Sequence, residues 1–219
     1  YGAAASITPT VVNSVLAIGA NVGAITAVVK DAAGVLVPGA TVYAVSGTAA
    51  AVSNSYTSCG ASSASGAVTC DLAGVAAGSA AITLTLNSSS TGTSTVSVVA
   101  GTMRVSDGVA TAVAYTFAKD SYAPGEAAVV KATVSNAAGV MPAGTYTVLT
   151  AAGVTANYTI SGLPTTTVLA VGSTGTASYT VTIPTGITGD LQLAGTSAAT
   201  TIAATFGKAT IVNAAQDTA

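Results

Sequence analysis

A period of two runs through the chain. Ile25, Ala27 and Val29 fall on one side of an extended segment, and Thr26, Val28 and Lys30 on the other. Ile82, Leu84 and Leu86 alternate with Thr83, Thr85 and Asn87; Ala177, Tyr179, Val181 and Ile183 alternate with Ser178, Thr180 and Thr182. Thr suits the outer face, because it is β-branched and still meets water. In the first half the pattern predicts strands at Ala5–Thr8, Ala24–Asp31, Ala40–Ser46, Ser53–Cys59, Ala67–Leu72, Ala80–Asn87 and Ser94–Val99. That is about seven, the number an immunoglobulin-type sandwich needs. In the second half it predicts Val109–Phe117, Ala127–Val134, Thr145–Leu149, Val154–Ile160, Thr166–Val171, Ala177–Ile183, Leu191–Ala194 and Thr200–Val212, the last broken at Gly207. No stretch combines a 3.6-residue period with helix caps. The expected fold class is all-β.

The layout occurs twice. "VVKDAAGVLVPGATV" (Val28 to Val42) is echoed by "ATVSNAAGVMPAGTYTV" (Ala132 to Val148), with Asp31-Ala32-Ala33-Gly34-Val35 aligned on Asn136-Ala137-Ala138-Gly139-Val140. The spacing is the size of one small domain, about 100 residues. The phrase is expected to be a strand, a turn and the start of the next strand in each of two tandem Ig-like β-sandwich domains, 1–101 and 102–219. The short polar stretch Gly101 to Gly108 ("GTMRVSDG") lies between the halves. The closing "NAAQDTA" is expected to begin a helix or a linker.

Composition narrows the function. Half the residues are hydrophobic, but only 5% are charged and 5% aromatic, against about 25% charge in ordinary soluble domains. Five basic and seven acidic residues give a net charge of −2, with no basic run to hold nucleic acid. So little charge offers little repulsion between copies and favours association. His and Trp are absent, which removes the commonest general acid/base and metal ligand. No phosphate loop, nucleophile elbow or metal-ligand spacing is present. The expectation is a protein that is not an enzyme and needs no cofactor.

The two cysteines, Cys59 and Cys70, flank a Gly/Ser/Ala-rich segment that suggests a turn between two short strands. A disulfide between them closes a short loop and implies an oxidising, extracellular location. The chain starts at Tyr1 without a leader-like segment, as expected for a processed protein or a piece of a longer one. Val11 to Val29 is the most apolar window. Its Asn13, Ser14, Asn21, Thr26 and glycines argue against a membrane helix, and no aromatic girdles suggest a membrane barrel.

"VVKDAAGVLVPGATVYAVSG" resembles the bacterial Ig-like repeats of cell-surface proteins of the invasin and intimin type, through Asp31, Gly34, Pro38, Gly39, Ala40 and Val42. "KDSYAPGEAAVVKATVSNAAG" resembles another opening of such domains, through Tyr122, Pro124, Gly125 and Glu126. Here Tyr122 is expected to cap the core and Pro-Gly to make the turn. The second copy departs from the pattern at Asn136, in place of Asp, and at Ala143, between Pro142 and Gly144. The resemblance implies a scaffold or spacer, and the Ala/Thr/Ser/Val/Gly bias is similar to that of surface-layer and fibre proteins.

A few side chains are candidates for modification or binding. Asn87 and Asn157 stand in Asn-x-Ser/Thr sequons and are the candidate glycosylation sites. The segment Asn87 to Ser97 is rich in hydroxyls that suit O-linked sugar. Asp107 with Asp120 or Glu126 is the one candidate for calcium across a domain joint. Lys131, Asn136 and Glu126 are the residue types of an intramolecular Lys–Asn crosslink. "LPTTT" (Leu163 to Thr167) lacks the Gly of a sortase signal.

The expected protein is a secreted, structural, self-assembling subunit of a prokaryotic surface layer or extracellular filament, with copies of itself as partners. Two rivals remain: an adhesin stalk carrying a binding domain elsewhere, and a carbohydrate-binding module recognising cell-wall or surface glycans. The eight Tyr are scattered along the sequence and form no evident platform for sugar rings.

Overall fold

The alternation is realised in space. In the computed structural model, which describes residues 1–212, Ile25, Ala27 and Val29 are buried while Thr26, Val28 and Lys30 are half-exposed. The chain divides into two compact units, Tyr1–Gly108 and Val109 onward. The division falls at the Gly108 end of the Gly101–Gly108 stretch, because Gly101 to Val105 belong to the last strand of unit 1. The closing segment expected to begin a helix or linker, 213–219, lies outside the described residues.

Unit 1 has eight strands: β1 (Ala4–Val11), β2 (Val15–Leu16), β3 (Gly19–Asp31), β4 (Thr41–Ser46), β5 (Thr57–Ala61), β6 (Ala67–Gly74), β7 (Gly78–Thr85) and β8 (Ser97–Val105). One sheet is ordered β1-β3-β6 and the other β2-β8-β7-β4-β5. The chain crosses between sheets after β1, β2, β3, β5 and β6, so neither sheet is completed without the other. β2 runs parallel to β8, and the main pairings are antiparallel. This is the Ig-like sandwich order. Its core is built on Leu16, Ile25, Leu72, Ile82, Leu84 and Met103, all fully buried, with Ala24, Ala27, Ala44 and Ala80 between them.

Unit 2 comprises β9 (Ala112–Phe117), β10 (Ser121–Tyr122), β11 (Ala127–Asn136), β12 (Gly139–Val140), β13 (Gly144–Thr147), β14 (Leu149–Ala156), β15 (Val168–Val171), β16 (Thr176–Thr182), β17 (Gly189–Ser197), β18 (Ala203–Phe206) and β19 (Lys208–Ile211). One sheet contains β12-β11-β9-β18 with β16 also on β11. The other is β10-β19-β17-β14, and β13 pairs with β15. The terminal strand breaks at Gly207, as its sequence suggested: β18 lies parallel to β9 and β19 antiparallel to β17. A side chain at Gly207 would stand 2.9 Å from the Tyr115 carbonyl, so only glycine lets the strand change sheets there. Tyr115 is buried and stacks on Phe206 with ring centroids 5.7 Å apart.

The repeated phrase is the end of β3 or β11, a turn, and the approach to the next strand. In unit 1 the Asp31 carboxylate accepts the N–H groups of Ala33 and Val35, each at 2.9 Å, and of Gly2 at 2.7 Å. In unit 2 Asn136 keeps the equivalent bond, from Ala138 N–H at 3.0 Å. The Pro38-Gly39 turn has Gly39 at φ 75°. It is held by the buried Ser62 hydroxyl, which donates to the Val37 carbonyl and accepts the Ala40 N–H. Tyr122 is buried as expected, and its hydroxyl accepts the Lys119 N–H.

Cys59 and Cys70 form the expected disulfide, with Sγ–Sγ 2.04 Å and Cα–Cα 4.4 Å, and a turn joins the two strands that carry them, as expected. β5 and β6 do not pair; they are edge strands of opposite sheets, so the bond ties the sandwich together along one margin. The strand expected at Ser53–Cys59 starts only at Thr57, because Ser53 and Asn54 are spent on the edge of β6. The strand expected at Val154–Ile160 is the end of β14, which closes at Ala156 where Asn157 turns its side chain back onto β17.

The disulfide closes a loop of sequence separation 11, for which chain entropy gives about 3 kcal/mol. Replacing both cysteines by Ser is expected to lower the unfolding free energy of unit 1 by about that amount in denaturant titration. Unit 2 should keep its own transition.

Candidate functional site

With no group of three or more Cys, Asp or Glu placed to hold a metal among the described residues, the features that bear on function are the sheet edges. An edge strand presents unpaired N–H and C=O groups that template pairing with another chain. Each edge here is treated differently. On β1, Ile7, Pro9 and Val11 oppose Val29, Ala27 and Ile25. The Val29 N–H and C=O go to Gly66 and Val37 rather than to Ile7. Positions 7, 9 and 11 therefore turn their main-chain groups outward, and Pro9 removes a donor there.

The outer edge of β6 is closed by a side chain. Asn54, 3% exposed, accepts the Ala73 N–H at 2.9 Å and donates to the Asp71 carbonyl at 3.1 Å. A carboxamide carries the same donor and acceptor as a peptide group, so Asn54 acts as one residue of an added strand. Ser53 N–H and Val75 N–H extend the same cover through the Ala73 and Ala51 carbonyls. On β5, Tyr56 precedes the strand at φ 51°, a conformation costly for a non-glycine residue. A bulge opposite Val42/Tyr43 twists the strand and the disulfide anchors it.

Asn157 repeats the device in unit 2. Its Nδ2 donates to the Asp190 carbonyl and its Oδ1 accepts the Gln192 N–H, both at 2.8 Å, and it continues the β14–β17 ladder where the backbone leaves. Asn87 holds both main-chain groups of Ser94 at 2.9 Å, and Asn21 holds both of Ala17 at 2.9 Å. The two sequon residues are thus placed as backbone clamps, with each side-chain nitrogen already donating. The hydroxyl-rich segment after Asn87 is an exposed loop over Ser88 to Thr93. Sequence reasoning missed the clamps. The one visible trace is that Asn21, Asn54 and Asn87 each stand at or next to the end of a predicted strand or in a polar break, whereas Asn157 falls in the middle of the predicted Val154–Ile160.

Within unit 2 the other candidate side chains are committed elsewhere or kept apart. Glu126 is bound by Lys119 Nζ and by the Ala123 N–H at 2.9 Å, so its carboxylate is committed within its own turn. Lys131 is exposed in mid-β11 and Asn136 ends the same strand. Five positions apart, they point to opposite faces and cannot crosslink. Tyr115 and Tyr122 are buried and offer no ring to a sugar. A cleft of about 360 Å³ lies beside β14, lined by Val154, Tyr158, Ile160 and Leu163 among others, with Tyr158 as its aromatic. No helix among the described residues is long and apolar enough to cross a membrane.

The strand order defines two tandem Ig-like β-sandwiches in an all-β chain. No protein-family model matches the chain, and no curated protein matches it. Among solved structures it is similar to the D0-D1 domains of intimin, at 14% identity and TM-score 0.34, covering 96% of this chain and 99% of that one. It is also similar to domains 5-6 of the S-layer protein SbsC, at 17% identity and TM-score 0.34, covering 96% and 98%. A third is the fibronectin(III)-like modules of Clostridium thermocellum CbhA, at 14% identity and TM-score 0.35, covering 94% of both chains.

If Asn54 closes the β6 edge, Asn54→Ala leaves the Ala73 N–H and the Asp71 carbonyl without their partner. The expected cost is about 1–3 kcal/mol, measured by denaturant unfolding, with hydrogen exchange at Ala73 accelerated more than at Ile25.

The charges give a second test. The N–H bonds of Gly2 first, then Val35, lower the Asp31 pKa, and the hydrogen bond from Lys119 lowers that of Glu126. Depressed carboxylates stabilise the fold above their unfolded pKa of about 4, and that contribution is lost as pH falls through the folded values. Burial pushes the Tyr115 hydroxyl up to about 12, so the folded chain holds that proton after the unfolded chain has released it. Stability is lost there as pH rises from about 10 towards 12. The melting midpoint is expected to be flat between these limits. Asp31→Asn with Glu126→Gln should shrink the acid limb and keep the Tyr115 part of the alkaline limb, while losing the part that Glu126 supplies by raising the Lys119 pKa.

Proposed function

We propose that the protein is an extracellular structural subunit that assembles with copies of itself into a surface layer or filament on a prokaryotic cell. The observation that carries this reading is the pairing of an edge-bearing double sandwich with a surface almost free of charge, five basic and seven acidic residues in 219. Such a surface gives copies little reason to stay apart. The disulfide supports an oxidising location. Contacts between copies are main-chain hydrogen bonds at strand edges and close packing of Thr, Ser, Ala and Val faces, with salt bridges contributing little.

Electron microscopy of the native protein taken from the cell surface tests this directly. A regular sheet or filament is expected, and its stability should be nearly unchanged from low to high salt, since screening acts on charges that are mostly absent. Separate rods at every concentration would replace this reading with a stalk that holds up another domain.

A further inference from the structure

The two sandwiches share a layout but finish it differently. In unit 2 the split at Gly207 lays β18 along β9 and brings β10 against β19, so both margins at the terminal strand are paired. In unit 1 the terminal strand is not split between sheets. All of β8 pairs with β7, and β2 reaches only Arg104 and Val105. The Val96 carbonyl accepts the Leu86 N–H on the β7 side, so the alternation of a strand turns the main-chain groups of Ser97 and Val99 away from β7. Past the bulge opposite Ile82/Thr83, Arg104 and Ser106 also point outward, where their N–H groups reach the Ser14 and Leu16 carbonyls. No strand is hydrogen-bonded to Ser97 and Val99 on that side, although β1 packs near β8.

Ahead of its bulge at Ala100, this stretch lacks the other guards found on the edges of unit 1. It has no proline like Pro9, no carboxamide like Asn54 and no covalent tie like Cys59. No charged residue occurs from Asn87 to Met103. Val99 is 64% exposed.

We propose that this edge joins two copies of the chain isologously, with Ser97–Val99 of one pairing antiparallel with Ser97–Val99 of the other about a two-fold axis at Val98. In that register Ser97 faces Val99 of the second copy and exchanges both N–H···O=C bonds with it, and the symmetry repeats the exchange. A second copy fits because the edge is its own complement. A two-fold superposes each residue type on the same segment, and with no charge from Asn87 to Met103 it sets no like charges face to face. The proposal rests on the self-assembly reading and names its contact.

The test uses the full chain. Val99→Pro removes an N–H that no bond within unit 1 uses, as Pro9 does on β1. Val98→Cys places a thiol opposite its own copy across the axis, and Val22→Cys, at a position 79% exposed on β3, is the control. Sedimentation velocity should show Val99→Pro melting near the wild-type temperature but associating only at a concentration at least about tenfold higher, a loss of some 1.4 kcal/mol. Oxidised Val98→Cys should run as a crosslinked dimer on a non-reducing gel, and Val22→Cys should not. A folded Val99→Pro that associates like wild type, or a Val98→Cys that stays uncrosslinked while wild type assembles, overturns this contact and leaves self-assembly standing. If Val99→Pro does not fold, the crosslink decides. A wild-type chain that never associates overturns both.

Discussion

Unpaired backbone at the rim of a sheet is the constraint on which the rest of this structure turns. Every buried or sheltered N–H and C=O needs a partner, and every exposed one invites a foreign strand. Lysines on edge strands are a common remedy. With only 5% charged residues, this chain uses other means: a proline on β1, carboxamides on β6 and β17, and a disulfide with a bulge at β5. These devices work without charge and are indifferent to salt.

The same economy shapes the interiors. Cores filled by Val, Ala and a few Leu, Ile and Met side chains bring the two sheets close, and close approach puts demands on particular positions. Gly162 lies so near the Thr180 carbonyl that a side chain would meet it at 2.3 Å, which lets the loop after β14 fold over the margin of β16. Gly207 plays the corresponding part in the terminal strand. Where unit 2 closes its seam by that break, unit 1 leaves β8 in one sheet. A layout shared in sequence therefore ends in two different rims.

Much of the fold was legible because burial on one face of a strand writes itself as alternation. β3 and β16 follow their predicted faces, and β7 does except for the buried Thr85; the break at Gly207 was visible as a glycine inside a long β-prone run. What escaped was long-range. Which strands pair is not encoded in period two, so the cysteine segment showed a turn between two strands but not that they belong to different sheets. The clamping asparagines escaped for the same reason: Asn54 acts on Asp71 and Ala73, and Asn157 on Asp190 and Gln192. Those partners are remote in sequence, whereas the sequon at Asn157 is local and therefore conspicuous. The two-residue strands β2, β10 and β12 have no pattern of their own and exist because a neighbouring strand offers a place to bond.

A protein that is to associate in one way must forbid the others. If all edges of a nearly uncharged sandwich were open, pairing would be promiscuous and the product an aggregate, because strand addition carries little sequence preference in its main-chain bonds. Closing the edges one by one turns a general tendency into a particular contact. The few hydrogen bonds of a short edge are weak singly, but a regular array repeats them, and each copy held by one neighbour meets the next at high effective concentration. Selective guarding and small interfaces therefore belong together: the guards supply specificity and repetition supplies strength, which a chain with so few charges and no tryptophan has few other ways to obtain.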